Sequence, residues 1–382
     1  MEFRDLKKQY QVLKEEIDSS VMRVLQNADY ISGSEVVELE EALAAYVGVK
    51  HCITCGNGTD ALMLSLMAWG VHEGDAVFVP DFTFFASGEA VAAVGAVPVF
   101  VDVERNTFNI SADALEKAVE SVLKEGKLIP RAVVVVDLFG QPANYPVLKQ
   151  ITEKNKLLIL EDGAQGFGAS IQDKKICSFG DISTTSFFPA KPLGCYGDGG
   201  AVFTDNDEWA EIIHSLRIHG KGKNKYDNIR IGMNSRLDTI QAAVLKVKLK
   251  AFAQSELEQV NQVAKWYNEM LEGLVITPKI MDGFYSSWAQ YTIVCQDSAQ
   301  RESLQNRLKE DNIPTMVYYA KGMHEQKAFE KQESDLGGFD NTLYLKDRVL
   351  SLPIHPYLQK RQVKEIAEKI ESFLYTLNRS RD

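Results

Sequence analysis

Short apolar runs alternate with amphipathic stretches over the first 200 residues of the chain. The runs are rich in valine, isoleucine and leucine, which is typical of parallel strands buried on both faces. We predict strands near 51–55, 76–80, 97–102, 131–137, 157–161, 182–185 and 201–204. We predict helices at 4–27, from Ser34 as N-cap to Gly48, from the loop at 56–60 to Gly70, and near 86–95, 145–155 and 239–251. This alternation predicts an α/β fold, a mostly parallel sheet with helices on both faces.

The last third of the chain has a different pattern. A long helix is predicted near 254–273, followed by strands near 290–295 and 314–318 and by helices near 299–311 and 361–377. Because strands and helices are less regularly interleaved here, this part is expected to form a smaller α+β domain. We therefore predict a large domain over residues 1–250 and a small C-terminal domain over residues 251–382.

Composition excludes several classes of protein. The chain has 382 residues, a formal charge of −11 and a pI of about 5.2, which disfavours a non-specific nucleic-acid binder. Its start is charged and amphipathic, and the chain has no uninterrupted apolar run of about 18 residues, so no membrane span is expected and the cytoplasm is the expected location. Five cysteines argue against a disulfide framework. Cys52 and Cys55 form a C-x-x-C pair, which we expect to be two small buried residues. A redox role for this pair is the alternative.

Two stretches carry the candidate chemistry. The apolar run 157–160 ends in Glu161 and Asp162, which places a carboxylate at the end of a predicted strand, where open α/β sheets bind ligands. Lys191 follows the next strand in an irregular loop between two prolines. A lysine can bind the aldehyde of pyridoxal 5'-phosphate (PLP) as a Schiff base, and a carboxylate keeps the pyridine nitrogen of PLP protonated. Taken alone, Lys191 would more often be a solvated surface lysine, so the pairing with Asp162 is what favours a PLP site.

A glycine loop precedes the third predicted helix. Gly56, Gly58, Thr59 and Asp60 stand where unpaired N–H groups at a helix N-terminus can bind a phosphate. The alternative is that Thr59 or Asp60 is an ordinary N-cap. The residues alone leave both interpretations open.

Seven motifs in the same order resemble those of the DegT/DnrJ/EryC1/StrS family of sugar aminotransferases, and the resemblance covers nearly the whole chain. The motifs are Phe3-x-Asp5-Leu6-x-x-Gln9-Tyr10, Gly56-x-Gly58-Thr59-Asp60-Ala61-Leu62, Pro80-x-x-Thr83-Phe84, Glu161-Asp162-x-Ala164-Gln165, Ser186-Phe187-x-Pro189-x-Lys191, Gly197-x-Gly199-Gly200 and Asn234-x-Arg236-Leu237-Asp238. The resemblance implies a fold-type I, PLP-dependent aminotransferase that forms a homodimer with shared active sites.

The resemblance also implies a role for each site residue. Lys191 would hold PLP and move a proton, and Asp162 would contact the pyridine nitrogen. The remaining PLP contacts would be Gly58, Thr59 and Ser186 at the phosphate, Phe84 stacked on the ring, Gln165 at the phenolic oxygen, and Asn234 at the phosphate of the partner subunit. The substrate contacts would be Arg236, Tyr318, Tyr319 and His324, although Tyr318 and Tyr319 stand where other members often have His-Tyr.

The resemblance implies that L-glutamate donates the amino group to a keto nucleotide sugar. The forms of the lysine motif and of the Asn234 motif look most like those of enzymes acting on 3-keto UDP-sugars, including uronates, in polysaccharide biosynthesis. The basic segment 217–230, with Arg217, Lys221, Lys223, Lys225 and Arg230, is either a solvated loop or a grip on a nucleotide diphosphate. A 4-keto sugar aminotransferase and a non-catalytic regulator are the alternatives, and a regulator would be expected to lack Lys191 or Asp162.

Overall fold

A seven-stranded sheet forms the centre of the protein. The computed structural model describes residues 1–224, 226–330 and 338–379. Its strands are β1 His51–Cys55, β2 Asp75–Pro80, β3 Val97–Val101, β4 Ile129–Val136, β5 Leu158–Asp162, β6 Ser170–Ile171, β7 Lys174–Lys175, β8 Ile182–Ser186, β9 Gly200–Thr204, β10 Phe284–Tyr285, β11 Tyr291–Val294 and β12 Val349–Leu352. The central sheet has the order β1-β9-β8-β5-β4-β2-β3. Strand β9 runs antiparallel to β1 and β8, and the other pairings are parallel, so the predicted mostly parallel sheet is confirmed.

Helices cover both faces of this sheet. They are α1 Leu6–Asn27, α2 Ser34–Val47, α3 Gly58–Ala68, α4 Ala86–Ala93, α5 Ala112–Glu125, α6 Tyr145–Asn155, α7 Asp207–Leu216, α8 Thr239–Ala251, α9 Leu257–Leu271, α10 Ser298–Glu310, α11 Asp340–Lys346 and α12 Lys360–Arg379. Side chains alternate along β4: Val133 and Val135 join one apolar cluster, and Val134 joins the other. The two clusters lie on opposite faces because successive side chains of a strand point in opposite directions.

The C-terminal part has an apolar core of its own. It packs α9, α10 and α12 against a two-stranded antiparallel sheet of β11 and β12. This cluster supports a domain division after residue 250, which stays a prediction. The strand predicted near 314–318 is wrong, because only Met316 bridges to Ser351 and β12 is the partner of β11 instead.

The predicted N-cap at Ser34 is also wrong, and the alternative that Thr59 or Asp60 caps α3 is excluded. Ser34 is the first residue of α2 and makes no capping hydrogen bond, and Gly33 precedes the helix. Helix α3 is capped by Asn57, whose side-chain oxygen accepts from the N–H of Asp60, so neither Thr59 nor Asp60 is the cap.

Helices α5 and α7 were not predicted. Among the described residues, no helix is long and apolar enough to cross a membrane.

Glu161 ties β5 to the segment that precedes β8. Its side chain is fully buried, and its carboxylate accepts hydrogen bonds from the N–H groups of Cys177, Phe179 (2.7 Å) and Gly180 (2.8 Å) and from the hydroxyl of Ser183 (2.7 Å). Burial raises the pKa of Glu161, and these four donors oppose the rise by favouring the carboxylate. Glu161 therefore fixes the edge of the sheet that carries its neighbour, Asp162.

Replacing Glu161 by glutamine should destabilise the fold. The amide nitrogen would face backbone N–H groups that need an acceptor, so we expect the free energy of unfolding to fall by about 2–4 kcal/mol. Urea unfolding at equal protein and cofactor concentration measures this. Glu116→Gln, which removes an exposed ion pair with Lys154, is the matched control and should cost less than about 1 kcal/mol. Equal losses in the two variants would contradict the anchoring role.

Candidate active site

Asp162 and Lys191 lie at the carboxyl edge of the central sheet. Asp162 ends β5 and pairs in register with Thr184 of β8, so the loop after β8 emerges beside it. That loop turns sharply, since the N–H of Lys191 donates to the carbonyl of Phe188 at 2.8 Å. The two residues are 29 positions apart in sequence and are brought to one edge by the parallel pairing of β5 with β8.

The carboxylate of Asp162 is held on both oxygens. The hydroxyl of Ser87 donates to Oδ2 at 2.9 Å, and the N–H of Ala164 donates to Oδ1 at 3.2 Å. Burial raises the pKa of Asp162, and the Ser87 hydrogen bond and the charge of Lys191 act in the opposite direction. A cationic ring nitrogen placed here would stabilise the ionised carboxylate further.

Lys191 is half-buried, and its amine is easier to deprotonate than a free lysine. Burial lowers the pKa of Lys191, the charge of Asp162 raises it, and the charge of Arg4 lowers it. Arg4 lines a cavity of about 20 Å³ together with Lys191 and Glu256. A depressed pKa increases the fraction of neutral amine near pH 7, which is the form that attacks an aldehyde.

Gln165 lies in the loop after β5 and is almost fully buried. Its Oε1 accepts from the N–H of Phe139 at 2.8 Å, and its Nε2 donates to the hydroxyl of Tyr319 at 3.1 Å. The hydroxyl of Ser287 donates to the Gln165 carbonyl at 2.6 Å. Gln165 therefore joins the sheet edge to two segments of the C-terminal part, to Tyr319 through its side chain and to Ser287 through its backbone carbonyl.

The glycine loop and Ser186 form a cradle at the N-terminus of α3. A Cβ added to Gly58 would stand 2.7 Å from the Cβ of Ser186, so only glycine permits this approach. Thr59 follows in the first turn of the eleven-residue helix. The loop is braced by Ser235, whose hydroxyl accepts from the N–H of Gly56 at 2.9 Å and donates to Asp60 at 2.6 Å. Free N–H groups and a hydroxyl here suit a phosphate.

Aromatic side chains line the site on the side of β2. Phe84 is 55% exposed, and its ring centroid lies 6.3 Å from that of Tyr319. An exposed ring in this position is available to stack on a planar ligand. Tyr318 is half-buried and packs edge-on against Phe3 at 6.4 Å.

His324 is fixed by Asp81, which lies just beyond β2. The Nδ1 of His324 lies 2.7 Å from Asp81 Oδ2, and its backbone N–H donates to Asp81 Oδ1 at 2.8 Å. The ring stacks on Phe339 with centroids 4.3 Å apart. Because Asp81 is fully buried and engages Nδ1, the Nε2 atom is the one left to contact a ligand.

Asn234 and Arg236 are not brought to Lys191 within this chain. Asn234 is exposed, and Arg236 lines a surface pocket of about 1110 Å³ together with His219, Lys221 and Arg230. In the described part of the chain, no hydrogen bond or ion pair links either residue to Asp162 or Lys191. Lys225, the last lysine of the basic segment, lies outside the described residues.

Four groups that contact the site residues were not predicted from the sequence: the side chains of Ser87, Asp81 and Ser287 and the backbone N–H of Phe139. Ser87 lies in the first turn of α4, four residues after Thr83, and the hydroxyls of the two residues lie 3.4 Å apart. The other contacts join residues at least 26 positions apart and leave no local signal.

The sequence profile of the DegT/DnrJ/EryC1/StrS aminotransferase family matches residues 11–371. The UDP-2-acetamido-2-deoxy-3-oxo-D-glucuronate aminotransferase of Pseudomonas aeruginosa is 43% identical over 96% of this chain and 98% of its own. The pleiotropic regulatory protein of Geobacillus stearothermophilus is 40% identical over 97% of each chain. The UDP-N-acetyl-3-dehydro-alpha-D-glucosamine 3-aminotransferase of Acidithiobacillus ferrooxidans is 36% identical over 97% of each chain.

Solved structures agree with the sequence matches. A DegT/DnrJ/EryC1/StrS aminotransferase from Brucella abortus has a TM-score of 0.95 at 44% identity, over 98% of this chain and 99% of that chain. DesV from Streptomyces venezuelae has a TM-score of 0.91 at 33% identity, over 98% of each chain. NtdA from Bacillus subtilis, with bound cofactor PMP, has a TM-score of 0.85 at 28% identity, over 95% of this chain and 82% of that chain. The predicted fold, enzyme class and cofactor are thereby confirmed, and the chain belongs to the DegT/DnrJ/EryC1/StrS aminotransferase family.

Proposed function

We propose that this aminotransferase moves the amino group of L-glutamate to the 3-keto position of a UDP-sugar, a uronate in particular. The observation that carries the proposal is that the pairing of β5 with β8 brings the buried carboxylate of Asp162 and the loop of Lys191 to one edge of the sheet. The 3-keto position and the UDP group are taken from the names of the relatives in P. aeruginosa and A. ferrooxidans. A role in surface polysaccharide synthesis and a cytoplasmic location complete the proposal.

The residues at the site fit PLP. The cradle of Gly58, Thr59 and Ser186 would hold the phosphate, where the N–H groups at the start of α3 meet the hydroxyl of Ser186. Asp162 would hold the pyridine nitrogen and Gln165 the phenolic oxygen. When bound, PLP supplies a conjugated ring that withdraws electrons from the carbon bearing the amino group.

The exposed ring of Phe84 would cover one face of the cofactor. An aromatic stack contributes about 0.5–1.5 kcal/mol beyond the burial of its area, and it also orients the ring. The ring lies beside that of Tyr319, with the two centroids 6.3 Å apart.

Lys191 would bind the cofactor and then act as general base and acid. Because burial lowers its pKa, a larger fraction of the freed amine is neutral near pH 7 and able to accept a proton from the carbon bearing the donor's amino group. Its Nζ would then return the proton to the C4′ carbon of the cofactor. The same residue serves both half-reactions, since the second is the reverse of the first with a keto sugar.

A second subunit would complete the site. Asn234 is exposed and Arg236 lines a surface pocket in this chain, and we assign their proposed contacts to a partner. Arg236 would hold a carboxylate or diphosphate bidentately, and Arg230 and Lys221 beside it add positive charge for a nucleotide. On the sugar side, Tyr318, Tyr319 and the Nε2 of His324 would contact the substrate.

A regulatory protein without catalysis is the competing function, and it takes its support from the name of the relative in G. stearothermophilus. A regulator has no need of a lysine with a depressed pKa facing a buried carboxylate. The presence of Lys191 and Asp162 at one edge therefore favours the enzyme.

Lys191→Ala should abolish covalent binding of PLP. Borohydride reduction followed by peptide mass spectrometry should find the cofactor on the peptide containing Lys191 in the natural protein and nowhere in the variant. The half-reaction with L-glutamate should slow by at least about a hundredfold, because the proton-transferring amine is gone. Lys154→Ala, at an exposed ion pair, is the matched control. Cofactor attached to a different lysine in the natural protein would refute the assignment.

Mixing two inactive variants tests the shared site. Lys191→Ala and Asn234→Ala subunits, unfolded and refolded together, should regain activity, because a mixed dimer has one site with both natural residues. Random pairing gives about one quarter of the natural number of sites. Lys191→Ala mixed with Asp162→Asn is the control and should stay inactive, since both changes fall in the same half of the site. Recovery in neither mixture would argue that each site is built from one chain.

A substrate panel tests the sugar. The PLP-loaded enzyme with L-glutamate should aminate a 3-keto UDP-uronate with a kcat/KM about tenfold to a hundredfold above that for the neutral 3-keto UDP-sugar. Mass spectrometry of the products formed from 3-keto and 4-keto UDP- and dTDP-sugars shows which sugars are aminated. Preference for a 4-keto sugar would establish the alternative substrate class, and L-glutamine and L-aspartate check the donor.

A further inference from the structure

The side-chain amide of Gln165 can adopt only one orientation. Its Oε1 lies 2.8 Å from the backbone nitrogen of Phe139, and a backbone N–H can only donate, so the oxygen must face Phe139. The Nε2 therefore points the opposite way, towards the hydroxyl of Tyr319 at 3.1 Å. An amide flip would place two donors against each other at Phe139.

The N–H of Phe139 is presented by an unusual turn. Phe139 has φ 59° and ψ 7°, a left-handed conformation that residues other than glycine adopt at some energetic cost. The turn is held from the C-terminal part: the hydroxyl of Ser286 and the N–H of Ser287 both donate to the carbonyl of Gly140 at 2.9 Å. Ser287 also holds the backbone of Gln165. The acceptor side of the amide is thus rigidly fixed.

Tyr319 occupies the donor side of the amide. Its ring packs edge-on against Phe82, with centroids 6.1 Å apart, and lies tilted against Phe84, with centroids 6.3 Å apart. These two aromatic contacts set the position of its hydroxyl. Burial raises the pKa of Tyr319, and the hydroxyl stays neutral across the physiological range. A neutral hydroxyl oxygen accepts one N–H of Gln165 and leaves the second N–H of Nε2 unused by any described residue.

We propose that Tyr319 is a positioning residue: by accepting one N–H of Gln165, it directs the other N–H at the phenolic oxygen of PLP. The inference rests on the proposed cofactor contacts and assigns Tyr319 a role besides the substrate contact given above. A hydrogen-bonded row would then run from Phe139 through Gln165 to Tyr319, and Gln165 would be the member that contacts the cofactor.

The consequence can be measured on the cofactor itself. A fixed N–H withdraws negative charge from the phenolic oxygen. When the N–H is misdirected, the oxygen keeps more charge and holds the proton at the covalent link to Lys191 more firmly. The pH midpoint of the visible absorbance of the PLP-loaded enzyme should therefore move upwards.

Tyr319→Phe keeps the ring and removes the acceptor. We expect its absorbance midpoint to rise by about half a pH unit to one unit, as the loss of one hydrogen bond implies. Gln165→Ala should raise it at least as much. In the Gln165→Ala background, Tyr319→Phe should add nothing further, because its effect passes through Gln165. Gln165→Glu, which accepts from Phe139 but has no N–H, is a second variant that should also raise the midpoint.

Tyr267→Phe is the matched control. It also removes one buried tyrosine hydrogen bond, to the Pro353 carbonyl at 2.9 Å, and keeps a ring stacked on Tyr291 at 4.7 Å. Its midpoint should equal that of the natural protein, and circular dichroism checks that every variant is folded.

Two results would overturn the inference: an unchanged midpoint in Tyr319→Phe, or a shift that persists in full in the Gln165→Ala background, which would mean that Tyr319 touches the cofactor directly. Failure of the proposed function has a separate signature. The natural protein, mixed with PLP, would then show no visible band that L-glutamate bleaches. A bleachable band with an unchanged Tyr319→Phe midpoint refutes only the role of Tyr319.

Discussion

The electrostatic relation between Asp162 and Lys191 is the constraint on which the site depends. Burial alone would drive each group towards its neutral form, raising the pKa of Asp162 and lowering that of Lys191. Their mutual attraction opposes both shifts. Lys191 would lose its charge when it binds PLP covalently, and Asp162 would then pair with the protonated ring nitrogen of the cofactor.

The sheet provides the rigidity that this relation requires. Glu161 and Asp162 are adjacent in β5 and point to opposite faces, as successive strand residues must. Glu161 accepts four hydrogen bonds from the segment 177–183 and fixes the strand, and Asp162 presents its carboxylate to Ser87 and Lys191. At the end of β5, the carboxylate of Glu161 therefore stabilises the fold, and the carboxylate of Asp162 belongs to the candidate active site.

Around this pair, the site is assembled from segments that are far apart in the chain. The turn at 138–140 and the segments around 287 and 319 converge on the loop after β5. The start of α3 lies against Ser186 at the end of β8. Gln165 contacts two of the C-terminal segments, so the arrangement of the C-terminal part against the sheet bears directly on the amide that would face the cofactor. Activity of this kind is therefore expected to be sensitive to changes well away from Lys191.

The sequence by itself determined the sheet, the strand that ends in Asp162, the loop with Lys191 and the family. Buried parallel strands are continuous apolar runs, and the chemistry of PLP needs a lysine and a carboxylate at neighbouring strand ends, so both leave a local pattern. The strand predicted near 314–318 failed because pairing depends on the neighbour, and β12 takes the place beside β11. Ser87 beneath Asp162, Asp81 behind His324 and the row from Phe139 to Tyr319 were decided only by the tertiary structure. These contacts join residues between 26 and 243 positions apart, and hydrogen bonds across such separations follow from how the elements pack and not from any local preference of the chain.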